Sequence, residues 1–249
     1  MSPTASFLFH GNLAGLLARE RRGAPFEFAF ARAANLKNAV EALGVPHTEI
    51  GRVLVNGAAA TLARTVRDGD AVEVFPWPDG GAAAPEGERR FLADAHLGAL
   101  ARYLRMLGFD TAHANPLPDT EIRRLGHDAR RVVLSRDREL LKCRDILFGC
   151  LVRAPAPEAQ LREVAARYAL AAAAQPFSRC LRCNLPLDRV EKAAIMQRLP
   201  EIVRAHHEQF MICHGCDRIY WPGSHYARMQ AALRSLLSGR QADPAPATS

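Results

Sequence analysis

Residues 91–145 constrain the fold more than any other part of the chain, because here an aspartate twice follows a short apolar run. Asp94 follows the apolar residues 91–93, and Asp137 comes shortly after the apolar residues 132–134. An amphipathic segment follows each aspartate, and another opens at Asp119 between them. The resulting order of strand, helix, short strand, helix and strand favours a parallel sheet with crossover helices.

Acidic residues near the exits of these strands predict a metal site. Ligands of parallel sheets gather at the carboxyl ends of the strands, so we expect Asp94, Asp119 and Asp137 to meet in one acidic pocket, with Glu121 as a further candidate. Carboxylates that meet repel one another unless a cation lies between them. Mg²⁺ or Mn²⁺ is the expected ion, and its usual work at carboxylate sites is phosphoryl chemistry. Asp119 and Glu121 have a second interpretation, since acidic residues complement the dipole in the first turn of any helix.

Four arginines near the predicted pocket are candidates for holding a substrate phosphate. Arg102 and Arg105 lie on the polar face of the helix predicted for residues 97–107, and Arg136 and Arg138 come directly before and after Asp137. A guanidinium group can hold a phosphate by two hydrogen bonds. The alternative is that the first pair belongs to a solvated helix face and that the second pair only balances Asp137.

Two C-x-x-C motifs, Cys180 with Cys183 and Cys213 with Cys216, are separated by 29 residues. Each motif can present two thiolates to one tetrahedral ion, and together they complete a four-cysteine Zn²⁺ site. Because protein ligands then fill all four positions, we expect the zinc to be structural. Disulfide formation or thioredoxin-like redox use is the alternative.

Aromatic and basic residues are mixed in residues 218–226, just beyond the second motif. Trp221 and His225 are candidates for nucleic-acid contact here, because bases stack on aromatic rings. The alternative for Trp221 is that it packs the thin core of a small zinc-binding unit.

Residues 1–78 predict a small α+β unit that precedes the acidic segment. Apolar or alternating runs predict strands, a helix is expected to begin after Asn35, and Asn56-Gly57 is a strong hairpin dipeptide. Residues 79–88 are rich in glycine, alanine and proline. They predict a linker that is flexible enough to let the flanking domains move.

The charge of the chain suits contact with a polyanion. The formal net charge is +7, the pI is about 9.4, and arginine greatly outnumbers lysine. The charge alone does not decide the matter, since arginine-rich composition also makes many other proteins basic. No apolar run approaches the roughly 20 residues of a membrane span, and no charged-then-apolar signal pattern opens the chain. We therefore expect a cytoplasmic protein with no membrane partner.

Several motifs together resemble a known family. The runs FLADAHLG (91–98), LARYLRMLGFDT (100–111) and VLSRDREL (133–140) resemble the Mut-seven C-terminal ribonuclease domain, a PIN-like family. RCLRCN (179–184) and YWPGSHY (220–226) are similar to the zinc ribbon of that family. VNG (55–57) and DGDAV (68–72) resemble the ubiquitin-like β-grasp module that is often joined to its front.

The resemblance implies a PIN-like α/β parallel-sheet domain, preceded by an α+β β-grasp domain and followed by a zinc ribbon. It also implies metal-dependent RNA cleavage, with Asp94, Asp119 and Asp137 on the acidic positions of the family. Ser135 stands where threonine is common in the family, a change that should preserve function.

The predicted domains are β-grasp 1–78, linker 79–88, nuclease 89–172, zinc ribbon with a C-terminal helix 173–237, and a disordered tail 238–249. RNA is the expected partner, and the β-grasp module is a candidate for docking a ribosome or another protein. Two alternative functions stay open. One is a non-catalytic adaptor that binds RNA or the ribosome, and the other is a metal-dependent phosphatase or nuclease that acts on DNA or nucleotides.

Overall fold

The computed structural model describes residues 2–30, 34–86, 89–223 and 230–231. Its N-terminal module is a five-stranded sheet in the order β2-β1-β5-β3-β4, in which β1 and β5 are parallel and the other neighbours are antiparallel. The elements are β1 (Thr4–Phe9), β2 (Phe26–Ala29), α1 (Leu36–Ala42), β3 (Ile50–Val55), β4 (Ala58–Ala60) and β5 (Ala71–Pro76), with 3-10 turns at Gly11–Leu16, Arg19–Arg21 and His47–Glu49.

Local sequence signals account for much of this module. Phe7 and Phe9 alternate with more exposed residues along β1 and lie in the core. The Asn35 side chain accepts a hydrogen bond of 2.8 Å from the backbone N–H of Asn38 and so caps α1. Asn56 and Gly57 have φ values of 51° and 78°, which suits the tight turn between β3 and β4. The predicted helix cap and hairpin are therefore confirmed.

A four-stranded, wholly parallel sheet in the order β7-β6-β8-β9 follows. The elements are β6 (Phe91–Ala93), a 3-10 turn (Ala95–Leu97), α2 (Gly98–Met106), β7 (Thr111–Ala112), α3 (Asp119–Asp128), β8 (Val132–Ser135), α4 (Arg138–Lys142), β9 (Gly149–Leu151), α5 (Pro157–Tyr168) and a 3-10 turn (Leu170–Ala173). The parallel sheet with crossover helices that the acidic segment predicts is therefore confirmed.

Glycine ends helix α2 for two physical reasons. Gly108 has a φ of +92°, a left-handed conformation that side chains with a Cβ atom rarely adopt. A Cβ atom at this position would lie 2.3 Å from the carbonyl oxygen of Gln175. Gly108 therefore lets the chain after α5 pass close to the end of α2.

The third unit, which we call the ribbon, contains both C-x-x-C motifs and a three-stranded antiparallel sheet in the order β10-β11-β12. Its elements are β10 (Asp188–Val190), α6 (Lys192–Ile195), a 3-10 turn (Met196–Arg198), α7 (Glu201–His206), β11 (Phe210–Cys213) and β12 (Arg218–Tyr220). Gln230 and Ala231 are helical, whereas the rest of the predicted C-terminal helix and the tail 238–249 lie outside the described residues. Within the described ranges, no helix combines the length and the apolar character needed to cross a membrane.

The N-terminal module and the parallel sheet share one hydrophobic core. A single buried cluster contains Phe7, Val40 and Val74 from the module and Leu92, Val133 and Leu141 from the sheet domain. The described linker residues are held as well, because the backbone N–H groups of Gly80 and Ala82 donate to the carbonyl oxygens of Ala166 and Arg167. At Gly80 and Ala82 the linker thus differs from the expectation of a flexible joint, since these two N–H groups find partners on α5.

A buried ion cluster reinforces this contact. Glu49 of the module is 1% exposed and lies 2.9 Å from both Arg153 and Arg167 of the sheet domain. Its carboxylate also accepts a 2.8 Å hydrogen bond from the backbone N–H of Leu151. The negative charge is thus paired entirely across the boundary between the two units.

Candidate active site and zinc centre

Asp94 and Asp137 leave neighbouring parallel strands at the same edge of the sheet. Ala93 of β6 pairs with Leu134 of β8, and the backbone N–H of Asp94 donates to the carbonyl oxygen of Leu134 at 3.0 Å. Each aspartate caps the helical turn that follows it, and Asp94 is buried whereas Asp137 is exposed. The fold therefore brings two of the predicted site residues to the carboxyl end of adjacent strands.

Ser135 joins these two aspartates. Its hydroxyl group donates to Asp94 Oδ2 at 2.5 Å and accepts a 2.9 Å hydrogen bond from the backbone N–H of Asp137. The backbone N–H of Arg136 also points to Asp94 Oδ2, at 3.3 Å. Ser135 is fully buried, so its hydroxyl fixes the Asp94 carboxylate against the end of β8. Sequence reasoning missed this role, although the position of Ser135 two residues before Asp137 was a usable signal.

Asp119 and Glu121 occupy the first turn of α3, where acidic residues suit the helix dipole. Asp119 is exposed. Glu121 lies 2.6 Å from Arg124, and the hydrogen bond from this guanidinium lowers the pKa of the Glu121 carboxyl. Glu121 is thus engaged along its own helix and not with the other acidic residues.

Asp119 and Asp137 act electrostatically on one thiol. Burial raises the pKa of Cys143, Arg123 acts to lower it, and the charges of Asp145, Asp119 and Asp137, in that order of size, raise it further. The three predicted carboxylates nevertheless do not form a tight cluster. Within the described parts of the chain, no three acidic side chains place their oxygen atoms all within 4.8 Å of one another.

Three of the four predicted phosphate-binding arginines, Arg102, Arg136 and Arg138, lie at the surface. Arg102 and Arg136 are exposed, and Arg138 donates from Nη1 to the carbonyl oxygen of Leu16 in the N-terminal module at 3.0 Å. The last contact ties the first turn of α4, which Asp137 caps, to that module. The exposed guanidinium groups of Arg102 and Arg136 stay available for an anion.

Arg105 has a role different from the predicted phosphate contact. It is buried, and its guanidinium donates to the carbonyl oxygens of Thr111, Leu181 and Arg182 at 2.9, 3.1 and 3.1 Å. Burial lowers its pKa, whereas the nearby thiols of Cys180 and Cys183 act in the opposite direction. Arg105 therefore fastens α2 to the first C-x-x-C motif, with its donors used inside the protein.

The four cysteines of the ribbon converge as predicted. The sulfur atoms of Cys180, Cys183, Cys213 and Cys216 all lie within 4.8 Å of one another. A tetrahedral zinc site with Zn–S bonds near 2.3 Å places its sulfurs about 3.8 Å apart, and Cys180 and Cys216 are 3.6 Å apart. Four converging thiols at this spacing are therefore compatible with a zinc ribbon.

Hydrogen bonds prepare one of these thiols for metal binding. Burial acts to raise the pKa of Cys180, but hydrogen bonds from the backbone N–H of Cys183 and the hydroxyl group of Tyr220 outweigh it, and the pKa falls to about 6. A thiolate is the form that binds metal, so these donors favour the metal-binding form of Cys180.

Trp221 packs against the ribbon core beside Phe210 and Ile219, as the packing interpretation expected. It is only half-buried, so part of its ring faces solvent. His225, the other predicted contact in this run, lies outside the described residues.

Comparisons with known proteins agree with this architecture. A family model described as the Mut7-C RNAse domain matches residues 89–233, and one described as Mut7-C ubiquitin matches residues 2–79. No curated protein was found to match the chain. One solved structure, described as a putative molybdopterin converting factor, subunit 1, from Pyrococcus furiosus, is 21% identical over 30% of this chain and 98% of its own, with a TM-score of 0.23. That likeness is too low to carry an argument.

The first family model covers more than half of the chain and includes both the parallel sheet and the four cysteines. The second covers the N-terminal sheet, which agrees with the β-grasp resemblance in the sequence. The chain therefore belongs to the Mut7-C RNAse domain family and carries a Mut7-C ubiquitin module in front of that domain.

Proposed function

We propose that this chain is a ribonuclease that hydrolyses RNA phosphodiester bonds with the help of Mg²⁺ or Mn²⁺. The observation that supports it best is the placement of Asp94 and Asp137 at the exits of β6 and β8, where the Ser135 hydroxyl connects the Asp94 carboxylate to the backbone N–H of Asp137. This edge is where parallel sheets place their ligands. Membership of a ribonuclease domain family makes RNA the substrate that we test first.

Asp94 and Asp137 fit such an ion by their chemistry and placement. Mg²⁺ is commonly held by one or two carboxylates and keeps several waters, so a third carboxylate in direct contact is not required. Asp137 is exposed and uses one oxygen, Oδ1, to cap α4, so its other oxygen can serve as a ligand. When bound, such an ion supplies Lewis-acid activation of a phosphoryl oxygen and a more acidic water.

The remaining residues have supporting roles in this proposal. Ser135 holds the Asp94 carboxylate in place, and Arg136 offers an exposed positive charge beside it for the substrate phosphate. Asp119 lies in the first turn of α3, and we assign it a contribution through its charge or through a bridging water. We leave Glu121 out of the site, because Arg124 already occupies its carboxylate.

The four cysteines are proposed to hold a structural Zn²⁺ ion. Their thiolates would fill all four positions of a tetrahedral site, which leaves no position for a substrate or a reactive water. Metal analysis of the purified chain should give one zinc per molecule, and Cys183→Ser should lose it. Zinc retained in full by that variant would contradict the assignment.

The test of the nuclease is a labelled RNA incubated with and without added Mn²⁺. Leaving Mn²⁺ out, rather than adding a chelator, keeps the zinc-binding unit intact. Asp94→Asn preserves the shape of the side chain but removes its charge, so cleavage should be lost, and circular dichroism of the variant checks that the fold is retained. Asp79→Asn, at an exposed position, is the matched control and should cleave like the wild type.

A non-catalytic RNA-binding adaptor is the second candidate. The observation that favours it is that the three acidic side chains do not converge within 4.8 Å in the described chain. The same assay separates the two functions. RNA that is bound but stays intact with Mn²⁺ would support the adaptor, whereas Mn²⁺-dependent products that vanish in Asp94→Asn would support the nuclease.

A further inference from the structure

A groove of about 800 Å³ lies between the ribbon and helix α2. Arg102 of α2 lies on one side, the segment around Phe177 forms part of the wall, and the ribbon strands supply Arg189, Arg218 and Tyr220. Its described lining includes neither Asp94 nor Asp137. Nothing in the proposed chemistry at that edge uses it.

The charge of this groove is of one sign. Arg102, Arg179, Arg189 and Arg218 line it, and the described lining includes no acidic residue. Arg102, Arg189 and Arg218 are exposed, in contrast to Arg105, whose donors are used within the protein. A concave surface with clustered guanidinium groups concentrates a positive potential and attracts a polyanion.

The register of the ribbon sheet places aromatic and cationic side chains in one row. Arg189 of β10 pairs with Met211 of β11, which pairs in turn with Tyr220 of β12. Arg218 lies two residues before Tyr220 and therefore on the same face of the strand. Two arginines thus flank a surface made by a methionine and an aromatic ring.

The aromatic part of this surface is fixed before any ligand arrives. The hydroxyl group of Tyr220 lies 3.1 Å from the sulfur of Cys180, so the predicted zinc site orients its ring. Trp221 is anchored against the ribbon core and also lines the groove. Rings that are already ordered lose little conformational freedom on binding, which favours stacking of a base.

We propose that this groove binds a single-stranded segment of RNA and so presents the strand to the nuclease domain. That the ligand is RNA rests on the proposed function. That the RNA is single-stranded is argued from the groove itself. Bases stack on aromatic side chains only when they are unpaired, whereas a duplex offers its phosphates and hides its ring faces. The mixture of arginines and rings therefore matches an unpaired strand.

The test uses the full-length, zinc-loaded protein without added Mg²⁺ or Mn²⁺, so that cleavage does not enter the measurement. The probe is a fluorescent RNA of about ten nucleotides without self-complementarity, compared with the same strand in a duplex. Arg189→Glu/Arg218→Glu reverses two charges in the groove. Arg67→Glu/Arg204→Glu makes the same change in net charge at exposed positions outside it.

We expect the groove variant to bind the single strand about tenfold or more weakly than the control variant. Each phosphate contact of a single strand adds about 0.7 to the slope of log affinity against log salt, so the slope should fall by about 1.4. Zinc content is measured in both variants to show that the ribbon is intact. Equal affinity and equal slope in the two variants, or equal binding of strand and duplex by the wild type, would overturn the proposal.

A second measurement follows the fluorescence of the Trp221 ring directly. The chain has two tryptophans, and Trp77 lies in the N-terminal module, where it donates to the carbonyl oxygen of Thr48. In Trp77→Phe, the fluorescence therefore reports on Trp221. Single-stranded RNA should quench it and the duplex should not, and an unchanged signal at saturating single strand would exclude stacking on Trp221.

The two proposals fail in distinguishable ways. Binding that depends on Arg189 and Arg218 without any Mn²⁺-dependent cleavage would remove the nuclease and keep the groove. Cleavage that is lost in Asp94→Asn but unchanged in the groove variant, with unchanged affinity, would keep the nuclease and remove the groove. An acidic peptide that competes with the RNA only when the groove arginines are present would still place the binding surface here.

Discussion

The replacement Glu49→Gln tests whether the N-terminal module and the nuclease domain form one folding unit. Glutamine keeps an oxygen that can accept from the backbone N–H of Leu151, so the change removes mainly the negative charge between Arg153 and Arg167. Removing one partner of a buried ion cluster costs about 3–5 kcal/mol, because the remaining charge stays buried without compensation. Two arginines share this carboxylate, which favours the upper half of that range.

The assay is urea unfolding followed by circular dichroism and by tryptophan fluorescence. With an m value of about 3 kcal/mol/M, the expected loss lowers the midpoint by about 1 M or more. Both proteins are measured in a Trp221→Phe background, so that the fluorescence reports on Trp77, which lies in the module close to the ion cluster and should change in the same transition as the helical signal. Coincident transitions are the mark of a single cooperative unit.

Glu27→Gln is the matched control, since Glu27 is exposed on β2 of the same module and the chemical change is identical. A surface replacement of this kind changes stability by about 0.5 kcal/mol or less. If Glu49→Gln were no more destabilising than Glu27→Gln, the proposed contribution of the ion cluster to the docking of the two units would be refuted.

Three further predictions address single residues. Ser135→Ala should lower Mn²⁺-dependent cleavage by about 10–100-fold, as is typical when a group that orients a metal ligand is lost, and Ser135→Thr should restore it; unchanged cleavage in the alanine variant would deny the role. Arg105→Met should lower the free energy of unfolding in urea by about 2–3 kcal/mol, because buried carbonyl oxygens lose their donors. Reduced RNA affinity without reduced stability would instead support the phosphate contact that the sequence predicts for Arg105. The hydrogen bond from Arg64 lowers the pKa of Asp70 to about 2 from an ordinary value of 3.8. The ionised Asp70 therefore contributes about 2 kcal/mol to the free energy of unfolding above pH 3.8, and this contribution is lost as the pH falls toward 2. Asp70→Asn should therefore be less stable at neutral pH and should flatten the stability profile in that window, and an unchanged profile would contradict the ion pair.

The features that the sequence predicts correctly are those that short segments determine. The cap at Asn35, the turn at Asn56-Gly57 and the strands before Asp94 and Asp137 each depend on a few neighbouring residues. The four cysteines could be predicted at long range because zinc chemistry restricts both the residue type and the number of ligands.

The features that the sequence did not predict depend on partners far along the chain. Arg105 binds carbonyl oxygens 76 and 77 residues away, and its spacing alone placed it on a polar helix face. Glu49 pairs with Arg167, which lies 118 residues further on. No periodic pattern marks such pairs, so the linker was expected to be flexible although the units that it joins share a core.

The common core of the first two units has a practical consequence for dissecting this protein. Expression of the nuclease segment by itself would leave the apolar side chains of Leu92, Val133 and Leu141 without the residues that cover them. Such a fragment would tend to aggregate, and a failure to cleave RNA would then say nothing about its chemistry. The ubiquitin-like module therefore has to be kept in any truncated variant, because it covers an apolar face of the parallel-sheet domain.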